Sequence, residues 1–260
     1  MFKRFWMDLK KHSRYSLISA KSQLKAEVAN SYLNWIWWIL EPLCFMLIYA
    51  FLFGYVFDAK EQYFPAYIFI GLTMWNFFNT TISQSVKLVK NNKSIITRIY
   101  FPKFVLILIK IWINGFKMMI SFGIVIVMIA IYRIPITWSC LYAIPIALTL
   151  SLFTFGCACF LMHYGVYVED LSTVVKIVLR VLFYMTGVFY NIENKIPEWG
   201  ALLNRANPIA FLMSSMRNCL LYRSMLHGKL LFLWFVISLL LSVAGIRKIY
   251  KEENSYAKAI

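Results

Sequence analysis

Apolar residues run along this chain in long blocks separated by short basic or turn-forming stretches, and the blocks have the length of a lipid bilayer. A helix needs about 20 mostly apolar residues to cross ~30 Å of hydrocarbon, and six stretches qualify: residues 35–57, 67–86, 104–132, 138–163, 171–190 and 230–249. The second is the least apolar, with Thr73, Asn76, Asn79, Thr80, Thr81, Ser83 and Gln84, so it is expected to face other helices or a path more than lipid. The third is long enough to tilt or to project past the bilayer. Residues 191–229 hold two shorter apolar pieces, near 199–203 and 209–221, broken by Pro197, Asn207 and Pro208. These read either as a pair of interfacial or re-entrant helices covered by protein or as an ordinary external loop with amphipathic turns.

Composition points to the same solvent. The chain is 61% hydrophobic and 15% charged, against about 45–50% and 25% in soluble domains. Its net charge of +16 would suggest nucleic acid in a soluble protein, but the basic residues fall between apolar blocks instead of forming one patch, so topology explains them better. Residues 87–103 carry Lys87, Lys90, Lys93, Arg98 and Lys103 with no acid, whereas the first loop carries Asp58, Lys60 and Glu61. The positive-inside rule therefore puts the former in the cytoplasm, which places both termini inside, the Arg133 loop outside and the Glu169–Asp170 turn inside. The N-terminal segment mixes Lys3, Arg4, Lys10 and Lys11 with Phe5, Trp6 and Leu9 and lacks a small-residue cleavage pattern. It is expected to be an amphipathic interfacial helix and not a removable signal peptide. With no Ser/Gly-rich linker, residues 1–260 are read as one domain, an all-α membrane protein with six transmembrane helices.

Candidate chemistry is sparse. Neither a phosphate-binding G-x-x-x-x-G-K-[ST] loop, nor H-E-x-x-H, nor a G-x-S-x-G nucleophile turn is present. Cys44, Cys140, Cys157, Cys159 and Cys219 show no repeated spacing, and His12, His163 and His227 are far apart, so no metal or redox site is expected. The ionisable residues within or near the spans are Glu41, Lys110, Lys117, Lys176 and Arg180, and such charges are costly unless paired or functional. Arg180 falls about 15 Å along its helix, near mid-membrane, where snorkelling is hardest. Lys110 and Lys117, seven residues apart, share a helix face. Two readings stay open for these cations: a basic path for an anionic headgroup, or pairing with Glu41. Glu41 precedes Pro42, so a kink competes there as well.

An ordered series of motifs covers nearly the whole chain. It comprises W-W-I-L-E-P-L at 37–43, F-L-F-G at 51–54, F-I-G-L-T-M-W-N-F-F at 69–78, N-K-S-I-I-T-R-I-Y-F-P-K at 92–103, Y-V-E-D at 167–170, T-G-V-F-Y at 186–190 and N-P-I at 207–209. In this order and spacing the chain resembles the permease subunit of ABC-2 type exporters for polysaccharides and teichoic acids. Where that family's N-terminal arm has a basic R-Y-R-x-S-x-L-G-like approach, this chain has Lys25, Ala26, Glu27, Val28, Ala29, Asn30, Ser31 and Tyr32.

The resemblance implies a six-helix permease that forms a homodimer and binds two copies of a separate ATPase subunit, which would hold ATP and Mg; no cofactor belongs to this chain, and no nucleic acid is a partner. It assigns ATPase coupling to the loop at 91–103, with Asn91, Asn92, Lys93, Arg98, Tyr100, Pro102 and Lys103, and short external helices to residues 191–229; with the cytoplasmic charge reading, the expected contact region extends to Lys87 and Lys90. The cargo implied is an undecaprenyl-diphosphate-linked O-antigen or capsule glycan, or a teichoic acid, crossing the bacterial cytoplasmic membrane. Arg180, Lys117 and Lys110 are the candidates to meet its diphosphate, and Tyr67, Phe77, Phe78 or Trp112 to meet its sugars. Two rivals differ in class: a small-molecule or drug ABC-2 exporter, and a membrane enzyme modifying lipid-linked sugars.

Overall fold

The computed structural model describes residues 2–29, 34–56, 61–96, 101–195, 198–224 and 227–259; residues 30–32, Asp58, Lys60, Arg98, Tyr100 and Pro197 lie outside them. Every regular element among the described residues is helical. Helix α1 (Phe2–Val28) is followed by a 3-10 turn (Asn34–Ile36), α2 (Trp37–Tyr49) and a wider π-helical continuation (Ala50–Val56) that contains the F-L-F-G motif. Then come α3 (Phe64–Val86), the short α4 (Leu88–Asn91) and α5 (Lys93–Ile96), α6 (Phe104–Ile131), a 3-10 turn (Trp138–Tyr142), α7 (Ala143–Tyr167) and α8 (Leu171–Met185). Three short helices, α9 (Ile192–Lys195), α10 (Gly200–Ala206) and α11 (Pro208–Leu220), precede the closing α12 (Gly228–Ala259).

Four stretches among the described residues are both long and apolar enough to cross a membrane: Trp37–Tyr55, Phe104–Ile131, Trp138–Tyr167 and Gly228–Glu253. Helix α3 has the length without the apolarity, and α8 has 15 residues. The polar α3 sits at the centre, against α2, α6, α7, α8 and α11, with an unbroken buried run from Ala66 to Trp75. That placement follows from the solvent: hydrocarbon cannot satisfy hydroxyls and amides, so the helix that carries most of them is enclosed by the others. Pro65 at its start needs no N–H partner, so the helix begins there without an orphaned donor.

Helix α12 lies along α7. The Ser242 hydroxyl donates to the Leu152 carbonyl at 2.8 Å, His163 Nδ1 meets the Tyr256 hydroxyl at 2.8 Å, and Tyr167 meets Ser255 at 2.6 Å. Helix α1 packs against α6, with the Phe5 and Phe104 rings 5.1 Å apart, and clasps α12 through Arg4–Glu253 at 2.5 Å and Tyr250–Asp8 at 2.7 Å.

Contacts between loops sort the turns into two ends. Lys90 pairs with Glu169 at 3.8 Å, so the 87–103 segment and the α7–α8 turn share an end with α1 and the tail of α12. At the other end Tyr63 meets Tyr132, Ser139 donates to the Arg223 carbonyl, and Tyr222 donates to the Gln62 carbonyl. Burial and the charges of Glu61 and Tyr67 push that Tyr222 phenol up to about 12.

Candidate functional site

The polar face of α3 opens on a cavity of about 710 Å³ between α2, α3, α6 and α8. Helix α2 contributes Trp38, Glu41, Pro42, Phe45 and Tyr49, and α3 contributes Thr73, Trp75, Asn76, Phe77, Asn79, Thr80 and Ser83. Asn114, Lys117 and Ser121 come from α6, and Lys176, Arg180 and Phe183 from α8. Lys176 and Arg180 are four residues apart and therefore on one helix face. Among the described residues neither has an ion-pair partner. The cavity wall thus carries three cations against the single carboxylate of Glu41, with amides, hydroxyls and aromatic rings between them. Such a surface holds anions by charge-assisted hydrogen bonds and sugar faces by ring contact.

Its floor is fixed by a buried relay in which Asn114 Nδ2 donates to Thr81 Oγ1 at 2.9 Å and Thr81 donates to the Phe77 carbonyl at 2.7 Å. Elsewhere in the cavity wall the Thr73 hydroxyl is buried and has no hydrogen-bond partner among the described residues. A lone buried hydroxyl is unfavourable by about 1–3 kcal/mol, so a polar group that reached Thr73 would gain a hydrogen bond there.

Of the residues expected to line a path, Arg180, Lys117 and Phe77 line this cavity. Lys110 points instead toward α1 and donates to Gln23 Oε1 at 3.0 Å. Lys117 is also reached by α1, with Nζ 2.6 Å from Glu27 Oε2, so its carboxylate partner is Glu27 and not Glu41. Phe78 is buried against Trp75 and Phe153, and Trp112 is half exposed away from the cavity. The helix runs on through Glu41 and Pro42, and the proline leaves the Trp38 carbonyl without its helical donor.

Tyr67 serves a different structure. Arg217, in the last turn of α11, is 2% exposed, and its guanidinium lies 3.6 Å from the centroid of the Tyr67 ring. Nε donates to the Tyr67 carbonyl at 3.0 Å, and the two terminal nitrogens donate to the Gly187 carbonyl at 3.0 Å and the Val188 carbonyl at 2.7 Å. Gly187 has φ +63°, a conformation that favours glycine, and this turn aims both loop carbonyls at the arginine. One cation therefore pins α11 to α3 and to the turn after α8. Asn207 caps α11, its Oδ1 accepting from the Ile209 and Ala210 amides, with Pro208 at the first helical position. Arg217 did not stand out in the sequence; the signal was a single arginine inside the apolar run 209–221.

In the 87–103 region, α4 and α5 fold under the end of α3. Lys87, Asn91 and Lys93 are exposed, Asn92 donates to the Leu88 carbonyl at 2.8 Å, and Pro102 and Lys103 are buried at the root of α6. Burial pulls the Lys103 ammonium below the usual lysine range, opposed by the charge of Glu253. A second cavity of about 510 Å³, between α6, α7 and α11, is apolar apart from Cys140.

Comparison with known proteins follows this geometry. The chain is 24% identical over 245 residues, 94% of each sequence, to the O-antigen export system permease protein RfbA of Klebsiella pneumoniae. It is 27% identical over 194 residues to the protein of that name from Myxococcus xanthus, covering 74% of this chain and 75% of the relative. Residues 17–221 match the ABC-2 type transporter family, a span that includes α2 to α11, the cavity and Arg217. The chain belongs to the ABC-2 type transporter family.

Proposed function

We propose that this chain is the permease of an exporter that moves a lipid-linked surface polysaccharide of the O-antigen or capsule type, or a teichoic acid, across the bacterial cytoplasmic membrane. It is a multi-pass transport subunit with an ATPase partner, as its family membership implies. In the proposed assembly α2, α3, α6, α7, α8 and α12 supply six crossings, and both termini face the cytoplasm. Helix α1 lies at the inner interface, and α10 and α11 re-enter from outside. Two copies stand side by side, each served by one ATPase subunit that binds ATP and Mg.

The cationic, aromatic-lined cavity carries this reading. Arg180, Lys176 and Lys117 offer charge to a diphosphate, and Trp38, Trp75 and Phe77 offer faces to sugar rings. Residues 87–103 supply the ATPase-contact surface, since Lys87 and Lys93 are exposed and the segment leads directly into α6, the helix that brings Lys117 to the cavity. ATPase closure would then reach the cavity through a single helix. The names of the relatives support an O-antigen-type cargo.

Arg180→Gln in proteoliposomes containing the ATPase tests the proposal. Arg180 is exposed and has no ion-pair partner among the described residues, so the variant is expected to fold and assemble normally while export and substrate-stimulated ATP hydrolysis fall. Arg180→Lys restores charge without the bidentate guanidinium fork and should recover part of the loss. Equal export by all three proteins at equal membrane abundance would defeat the assignment. Unchanged surface polymer on deletion of the gene, with a hydrophobic drug transported instead, would favour a small-molecule exporter.

A further inference from the structure

Among the described residues Lys117 is the one cation of the cavity with an ion-pair partner, and the partner comes from outside the cavity. Glu27 sits near the end of α1, and its Oε2 lies 2.6 Å from Lys117 Nζ with both side chains about one-third exposed. The contact is not isolated. One helical turn earlier Gln23 accepts from Lys110, so two residues on one face of α1 meet two residues on one face of α6. Trp38 of the cavity wall lies on the cavity side, its ring 5.8 Å from Lys117 Nζ.

The other half of α1 is attached elsewhere. Tyr15 packs edge-on against Phe101 at 6.2 Å, and Phe5 against Phe104 at 5.1 Å. Phe101 lies in the 87–103 segment, and Phe104 opens α6 directly after it. Arg4 and Asp8 hold the end of α12. With 27 residues, α1 is a rod of about 40 Å with one end on a cavity lysine and the other on the base of the proposed ATPase-contact segment.

We infer that Glu27 is a resident counter-ion which a lipid-borne diphosphate must displace from Lys117, and that α1 thereby reports occupancy of the cavity to the ATPase-contact segment. The inference rests on the proposed function and adds the regulation of the same site. Lys117 shares the cavity wall with Lys176 and Arg180 against the one lining carboxylate of Glu41, so in the ligand-free protein an anion beside it relieves the repulsion among these cations. A diphosphate offers more negative charge than one carboxylate and takes over the neutralising role. The exchange leaves Lys117 paired throughout and frees the end of α1. Glu27 acts through Lys117 and the helix that carries it, so it is a positioning residue that sets how much anion is required for the exchange.

The test uses the full permease–ATPase complex in nanodiscs of zwitterionic lipid, with undecaprenyl diphosphate as probe and with free inorganic diphosphate and phosphatidylglycerol as separate arms. Removing the competitor in Glu27→Gln should tighten undecaprenyl diphosphate binding about fivefold, the ratio expected for a partly exposed ion pair. The same variant should lose the difference between ATPase rates with and without the probe. Lys117→Gln should weaken binding, and Glu27→Asp, which keeps the charge, should restore probe-dependent hydrolysis; the aspartate variant also serves if the glutamine variant fails to assemble. A purely structural pair would lower thermal stability without tightening binding. Unchanged or weaker binding by Glu27→Gln beside weakened binding by Lys117→Gln overturns the counter-ion role and leaves the cavity as the substrate site. Tightening seen equally with free diphosphate or phosphatidylglycerol overturns the lipid-borne diphosphate as the displacing group. Unchanged probe binding in Lys117→Gln and Arg180→Gln alike overturns the cavity reading itself.

Discussion

Replacing Gly71 by alanine would place a methyl carbon 2.2 Å from a terminal nitrogen of Arg217 and 3.4 Å from the Val188 carbonyl. The helix backbone of α3 cannot retreat, because Gly71 lies inside its buried run, so the guanidinium must move. The same terminal nitrogen makes the 2.7 Å bond to Val188, and losing one hydrogen bond to a charged donor costs about 1.5–3 kcal/mol. Arg217→Met should cost about 2–6 kcal/mol, since it orphans the Gly187 and Val188 carbonyls at about 1–3 kcal/mol each. In the Arg217→Met background the clash disappears, because a flexible thioether can shift aside, and Gly71→Ala should then cost under about 0.5 kcal/mol. Denaturant titration of the four proteins in nanodiscs measures the cycle. If the two substitutions simply add, the guanidinium is not what Gly71 makes room for, and the pinning of α11 to α3 by Arg217 is refuted.

Further outcomes follow from single contacts. Asn207→Ala removes the acceptor for the Ile209 and Ala210 amides and should cost about 1 kcal/mol, with Asn207→Ser recovering most of it in the same titration. Tyr250→Phe removes the bond to Asp8 and should loosen α1 by about 0.5–1.5 kcal/mol, read as faster protease cleavage within α1 at unchanged global stability. Thr73→Val deletes the unpartnered buried hydroxyl and should leave the ligand-free protein as stable or more stable by about 1 kcal/mol, while weakening binding of a polar ligand; a clear loss of stability would mean that the hydroxyl is satisfied.

How far the sequence reached depends on the kind of interaction. Hydropathy located the helices because the bilayer imposes a length, and the polar residues of α3 announced a helix away from lipid. Their partners were not legible. Periodicity put Lys110 and Lys117 on one face, but that Gln23 and Glu27 would meet that face depends on where α1 folds back, which no local pattern encodes. The fifth stretch was expected to continue to residue 190, yet α8 ends at Met185. Its last residues form the turn that serves Arg217, a demand made from 30 residues away. Helix α12 likewise runs beyond the expected residue 249 to Ala259, because Arg4, His163 and Tyr167 offer partners to Glu253, Tyr256 and Ser255. The 87–103 region was singled out by charge and motif alone, and the helices α4 and α5 within it were not foreseen.

The exposed surfaces of α2 and α8 separate two arguments for a second copy. Met46 is the buried residue of α2, and Val175 and Leu179 those of α8. In water so much apolar surface would require a cover. In a bilayer it does not, since lipid chains solvate leucine and valine as well as another helix would. Lys176 and Arg180 are different, because on the same helix they face a cavity bounded on one side by the loosely packed α2. A lysine and an arginine open to hydrocarbon are costly, whereas the same groups facing a polar space enclosed between two copies can keep water or an anionic cargo. The polar mouth of the cavity, and not the apolar helix faces around it, is therefore the physical reason to place the proposed second copy against α2 and α8.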